Sequence, residues 1–162
     1  MTESEDIEAL YARSFAIVQA KCRRILGNSD AANDVAQETF MRLWAKRKSI
    51  RDPDALLSWV YTTATRLSIE NLRKSRREPL GVDPDEPTFD TSPEAIATSR
   101  LTLRAVAPML GARELEFAIY SLLDGMTQLE IAVLTNHSER TVRRGLSRFQ
   151  ASCRALRKEE ET

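Results

Sequence analysis

The sequence is poor in the residues that build metal centres, disulfide frameworks and phosphate cradles. Its 162 residues include two cysteines, one histidine and five glycines. Cys22 and Cys153 stand far apart with no C-x-x-C spacing, so no zinc site is expected. Two buried or half-buried thiols are the expectation, ahead of a redox switch. No glycine-rich loop and no nucleophile–base pair stands out, which argues against an enzyme and against any cofactor. No apolar run approaches the length of a membrane span, so no direct membrane insertion is expected. The opening "MTESEDIEAL" is acidic where a secretory signal needs a basic segment followed by an apolar run. These absences point to a soluble, cytoplasmic protein. Strand signals are missing too: no sustained alternation and no hairpin turn appears, which leaves an all-α chain.

What is present is charge, and it is unevenly placed. The net charge is zero, yet residues 1–77 carry 14 Lys/Arg against 10 Asp/Glu, residues 78–99 carry none against 6, and residues 100–162 carry 10 against 8. Two basic blocks flank an acidic strap. That strap, "EPLGVDPDEPTFDTSPE", holds four prolines and a glycine and has no helical period, so it reads as an irregular linker. Its stretch from Glu78 to Ser92 can reach about 50 Å when extended. The expected organisation is two small helical domains, residues 1–77 and 96–162, joined by a flexible linker over 78–95.

Helical periodicity organises both blocks. In the first, a helix from Ile7 to Leu26 stops at Gly27, and a second, capped by Ser29 or Asp30, runs to about Lys48. A third starts after Pro53 and runs from about Ala55 to Arg76. In the second block, Ser92 and Pro93 open a helix to about Ala107, and another runs from about Ala112 to Asp124 before Gly125. "TQLE" is a capping box from Thr127 toward Glu130, opening a short helix through Leu134. "TNH" turns the chain, His137 serving as a turn residue, and Ser138 caps a last helix.

That last helix begins "SERTVRRGLSRF". At about 3.6 residues per turn, Arg140, Arg143, Arg144, Ser147 and Arg148 fall within an arc of about 140°, while Val142, Leu146, Phe149 and Cys153 gather opposite. A short helix, a tight turn and a longer basic helix form the outline of a helix-turn-helix. Arginine can bond bidentately to guanine in the major groove while its neighbours neutralise phosphates. Gly145 either admits a close approach to the DNA backbone or is merely tolerated. In the second helix, Asp34, Gln37, Glu38 and Met41 form one stripe; Ala36, Phe40, Leu43 and Trp44 form another, which reads as core.

"DVAQETFMRLW", "LLSWVYTTATRLSIENLRKSRR" and "GMTQLEIAVLTNHSERTVRRGLSRF", in that order, closely resemble the extracytoplasmic-function sigma factors (group 4) of bacterial RNA polymerase. The resemblance covers about residues 7–157. It implies a promoter-melting domain, a linker and an upstream-element domain. It further implies that Asp34, Gln37 and Glu38, with Met41 on their stripe, dock on the clamp of the polymerase's largest subunit. The second-largest subunit's flap and promoter DNA are further implied partners. By the same resemblance Trp59 and Tyr61 match an aromatic pair that helps open and read the −10 element, although Trp59 shares a side with Leu56, Val60 and Ala64 and reads first as core. Arg66 and Glu70 stand nearby, and Arg73, Lys74, Arg76 and Arg77 would follow the DNA backbone. Arg143, Arg144 and Arg148 match positions that read the −35 element, with Arg140 near enough to touch phosphate.

Three positions depart from the family pattern. Thr65, Arg66 and Glu70 stand where R-N-x-x-x-D is common, so a guanidinium replaces an amide that could read a flipped base. Gly111 stands where proline is common, and Arg140 where glycine is common. Family members are often held by an anti-sigma partner. The acidic linker would thread the polymerase as a nucleic-acid mimic, or serve only as a solvated strap. A stand-alone helix-turn-helix regulator, acting without polymerase, is the competing reading.

Overall fold

The computed structural model describes the backbone of residues 3–74 and 93–162, and the side chains of 5–74 and 98–162. Seven α-helices account for nearly all of these residues, with no strand among them: α1 (Glu3–Leu26), α2 (Ser29–Ala45), α3 (Pro53–Lys74), α4 (Pro93–Val106), α5 (Ala112–Leu122), α6 (Gln128–Thr135) and α7 (Glu139–Glu160). The expected all-α class is what the chain adopts. The described residues divide into two compact units, residues 3–68 and residues 69–74 with 93–162. The acidic strap, its Ser92 cap, Arg76 and Arg77 lie outside the described residues.

The first unit is built on α1 and α2. Gly27 adopts a left-handed φ of 68°, and its N–H closes the end of α1 on the Arg23 carbonyl at 2.8 Å. Asn28, rather than Ser29 or Asp30, caps α2: its side chain accepts from the Ala31 N–H at 3.0 Å. The helix ends at Ala45, short of the expected Lys48, and Lys46 forms its C-cap. Between the two helices Tyr11, Phe15 and Phe40 form an aromatic cluster, with Tyr11 edge-on to Phe40 at 5.0 Å. Leu10, Cys22, Ile25, Ala36 and Leu43 complete the core. The α3 helix joins it through Val60 and Ala64, both fully buried, and through Lys21, whose ammonium sits 4.0 Å from the centre of the Tyr61 ring.

The second unit is centred on α5. Leu115, Phe117, Ala118, Ile119 and Tyr120 are all fully buried, and the buried Tyr120 hydroxyl donates to Glu116 Oε1 at 3.1 Å. The capping box forms as its sequence dictates: the Glu130 N–H donates to Thr127 Oγ1, and the Thr127 N–H to Glu130 Oε1. Asn136 then ends α6 in the left-handed region, at φ 55°. Its neighbour His137 rests edge-on against Phe117 at 5.4 Å, so the turn is pinned to the core. Ser138 caps α7 by accepting from the Thr141 N–H at 3.1 Å.

Gly145 has a role that the sequence left open, and it is a packing one. The residue is buried, and a Cβ placed on it would lie 2.6 Å from Cδ2 of the fully buried Phe117. Here the Phe117 ring of α5 packs directly against the backbone of α7, in the space a side chain at 145 would take. Alanine normally exceeds glycine in helix propensity by about 1 kcal/mol. At this position the sign should reverse, with Gly145→Ala destabilising the fold by about 1–3 kcal/mol through overpacking. Urea unfolding measures the difference, and a more stable variant would contradict the packing.

Candidate nucleic-acid and polymerase interfaces

The exposed side of α7 follows from its buried side. Val142 and Phe149 turn inward with Gly145, while Leu146 and Cys153 are half-buried beside them. Arg140, Arg143, Arg144, Ser147 and Arg148 are therefore all exposed, on the arc expected of them. Among the described residues, no acid pairs with Arg140, Arg143 or Arg144. Three guanidiniums stand ready for anions or base edges. Arg148 differs: its Nη1 donates to Glu114 Oε1 on α5 at 2.9 Å. The sequence reading missed Glu114, because nothing local marks a partner 34 positions away.

The α2 stripe is equally accessible. Asp34, Gln37 and Met41 are exposed and Glu38 is half-buried. Glu38 is held upright by Arg42, whose Nε donates to its Oε1 at 2.9 Å. Such an exposed i,i+4 pair contributes only about 0.3–0.5 kcal/mol, so a stronger partner can displace it. Trp44 departs from the expected core stripe. It is 42% exposed, and Arg47 lies over its ring at 4.3 Å while donating to the Trp44 carbonyl. Its side chain falls between the buried row of Phe40 and Leu43 and the 66% exposed Met41. With Ile7, Tyr11, Gln37, Phe40 and Met41, Trp44 lines an open apolar groove of about 600 Å³ between α1 and α2. A polar rim beside an apolar cleft is the composition of a protein-binding surface.

On α3, Trp59 and Tyr61 are half-buried, whereas Arg66, Glu70 and Lys74 are exposed. Lys21 covers one face of the Tyr61 ring, and Arg73 Nη2 donates to the Leu110 carbonyl at 2.8 Å within the second unit. The face therefore combines solvent-facing charge with side chains already engaged by the protein. Both cysteines are free thiols. Burial pushes the Cys22 thiol up, and it does the same to Cys153 despite Arg157 and Arg154 nearby. Among the described residues no group of His, Cys, Asp or Glu could hold a metal ion, and no helix is long and apolar enough to cross a membrane.

Unpaired arginines on a capped helix and, on the other unit, an acidic stripe beside an apolar groove are surfaces suited to nucleic acid and to protein respectively. Comparison with known proteins points to a family. A profile described as Sigma-70 region 2 matches residues 10–78. The chain is 29% identical to the ECF RNA polymerase sigma factor SigL of Mycobacterium tuberculosis over 160 residues, covering 96% of this chain and 89% of that protein. It is 29% identical over 168 residues to the ferric citrate uptake sigma factor FecI of Escherichia coli, covering 98% and 94%. A shorter match, 38% over 55 residues, joins 34% of this chain to 29% of the ECF RNA polymerase sigma factor SigW of Bacillus subtilis. The partial profile match and the near-full-length likenesses together support an extracytoplasmic-function sigma factor, an alternative sigma factor directing transcription initiation through RNA polymerase.

The charge on Glu114 makes part of the second unit's stability pH-dependent. Burial alone would push its carboxyl up; its own backbone N–H, the hydrogen bond from Arg148 and the charges of Arg113 and Arg148 outweigh that and hold it below the ordinary value of 4.5. A carboxyl held below its unfolded value stabilises the fold above that value, and the contribution disappears as pH falls through the folded one. Glu114→Gln should therefore flatten the acid side of the Tm–pH profile, below about pH 4.5, relative to the parent chain. Circular dichroism melts across that range provide the check, and parallel profiles would show that the carboxylate adds nothing.

Proposed function

We propose that the two faces divide the work of initiation. The Asp34, Gln37, Glu38 and Met41 face grips the clamp of the polymerase's largest subunit. The α7 arginines, presented by a helix-turn-helix, enter the major groove of the −35 element. On α3, Trp59, Tyr61, Arg66 and Glu70 meet the −10 element as it opens, with Arg73, Lys74, Arg76 and Arg77 along the adjacent backbone. Residues 1–77 and 96–162 are the corresponding domains, and 78–95 the tether between them. The flap of the second-largest subunit and an anti-sigma factor are further partners on this reading, and the site of action is the cytoplasm, at the nucleoid when polymerase is bound.

The observation that supports this most is the unpaired state of Arg140, Arg143 and Arg144 on a helix whose register is held by Gly145 and a capped turn. A neutral chain with two modest basic faces binds free DNA weakly, because affinity comes mainly from phosphate neutralisation. Docking on polymerase makes the second contact intramolecular and raises its effective concentration. Melting needs no chemistry from the chain, since single-strand contacts offset the cost of unstacking.

Adding the purified chain to sigma-free core polymerase with a promoter library should produce new start sites that share upstream and downstream elements; active components without specific initiation would reject the proposal. Replacing Asp34 and Glu38 by Lys should abolish core binding in a pull-down while leaving the circular dichroism spectrum unchanged. Undiminished binding would move the docking face elsewhere. Arg144→Ala should weaken initiation by about 1–3 kcal/mol on promoters with a guanine at the contacted position. An equal loss on every upstream sequence would make Arg144 a phosphate contact.

A further inference from the structure

Glu114 has no place in the division of labour above, yet it is the acid that meets the recognition helix. Its side chain is only 10% exposed, at the start of α5, while that of Arg148 is 62% exposed. Gly111 keeps its space open. A Cβ on Gly111 would lie 2.6 Å from Glu114 Oε2, and one on Gly145 would lie 3.8 Å from Glu114 Cγ as well as striking Phe117. A proline at Gly111 would bring that same Cβ against the carboxylate. The slot thus depends on the missing side chain at Gly111, with Gly145 leaving ordinary contact distance on the other side, and the carboxylate in it accepts one N–H of Arg148 at 2.9 Å.

The consequence is electrostatic and directional. A guanidinium has five N–H donors, so Arg148 keeps most of its fork for a ligand after this one bond. A phosphate drawn to Arg148 also meets the charge of Glu114, and Arg148 therefore gains less from it than its unpaired neighbours would. A base edge carries only partial charges and suffers less from that repulsion, while the anchored fork presents its remaining donors in a fixed direction. We propose that Glu114 is a specificity-determining residue of promoter recognition: it turns Arg148 from a sequence-blind phosphate contact into a directional reader of a base edge. The inference rests on the reading that the α7 arginine face lies on the −35 element.

The test uses holoenzyme, formed from the full chain and core polymerase, on two promoters that differ only in having the selected or a scrambled upstream element. Glu114→Gln should raise binding to the scrambled promoter and lower the discrimination ratio by about five- to ten-fold, the scale of one net hydrogen bond. It should also steepen the log–log salt dependence by about 0.9, the increment for one added phosphate contact. In an Arg148→Ala background the same substitution should change neither quantity. Arg148→Lys, which keeps the charge and loses the fork, should lower discrimination with the salt slope unchanged, and it serves as the readout should Glu114→Gln fail to fold. If Arg148→Ala weakens recognition while Glu114→Gln keeps the parental ratio and slope, this inference fails and the docking of α7 stands. An effect of Glu114→Gln that persists without Arg148 assigns Glu114 a role in the fold alone and also overturns it. Should Arg148→Ala alter nothing on either promoter, Arg148 does not touch DNA, and the reading of that residue falls with the inference.

Discussion

The contact of Gly145 with Phe117 governs the second unit. Together with the burial of Val142 and Phe149 it holds the rotation of α7 about its own axis, and the exposed guanidiniums of Arg140, Arg143, Arg144 and Arg148 follow from that setting. Phe117 cannot yield, because it is fully buried in the core of α5 and also supports His137 in the turn before α7. One aromatic ring thus fixes both the start of the arginine helix and its face. A side chain at position 145 would have to push the helices apart, and interiors packed near crystal density transmit such a shift over whole elements.

In the first unit the corresponding constraint is the aromatic seam of Tyr11, Phe15 and Phe40. It joins α1 and α2 on one side and leaves Met41 and Trp44 on the other, where a groove opens beside the acidic stripe. Apolar area at the centre with charge at the edge lets affinity come from desolvation while the carboxylates select orientation. The exposed Glu38–Arg42 pair holds one of those carboxylates in a defined position at little energetic cost.

Much of the architecture was legible because it is local. The Thr127–Glu130 box, the Ser138 cap and the stop at Gly27 involve partners within four residues, and each formed as the residue types dictate. Arg140, Arg143 and Arg144 lie on the face that periodicity assigned to them. Reading was weaker where several local solutions compete: Asn28, Ser29 and Asp30 can all cap a helix, and the chain uses the first. A helical wheel also put Trp44 with the core, since it cannot see that α1 and α2 leave an open groove at that point. The Glu114–Arg148 pair and the packing role of Gly145 were hidden for a different reason. Both depend on α5 crossing α7, a contact between segments some thirty residues apart, and no window of sequence contains it.

Cys22 shows what deep burial means for the chemistry of this chain. Its thiol is fully enclosed beside Lys21, and desolvation keeps it protonated at neutral pH. Oxidants attack the thiolate, and they must reach the sulfur to do so. Modification at Cys22 therefore has to wait for the first unit to open, and its rate would track the opening equilibrium of that unit and not the intrinsic nucleophilicity of sulfur.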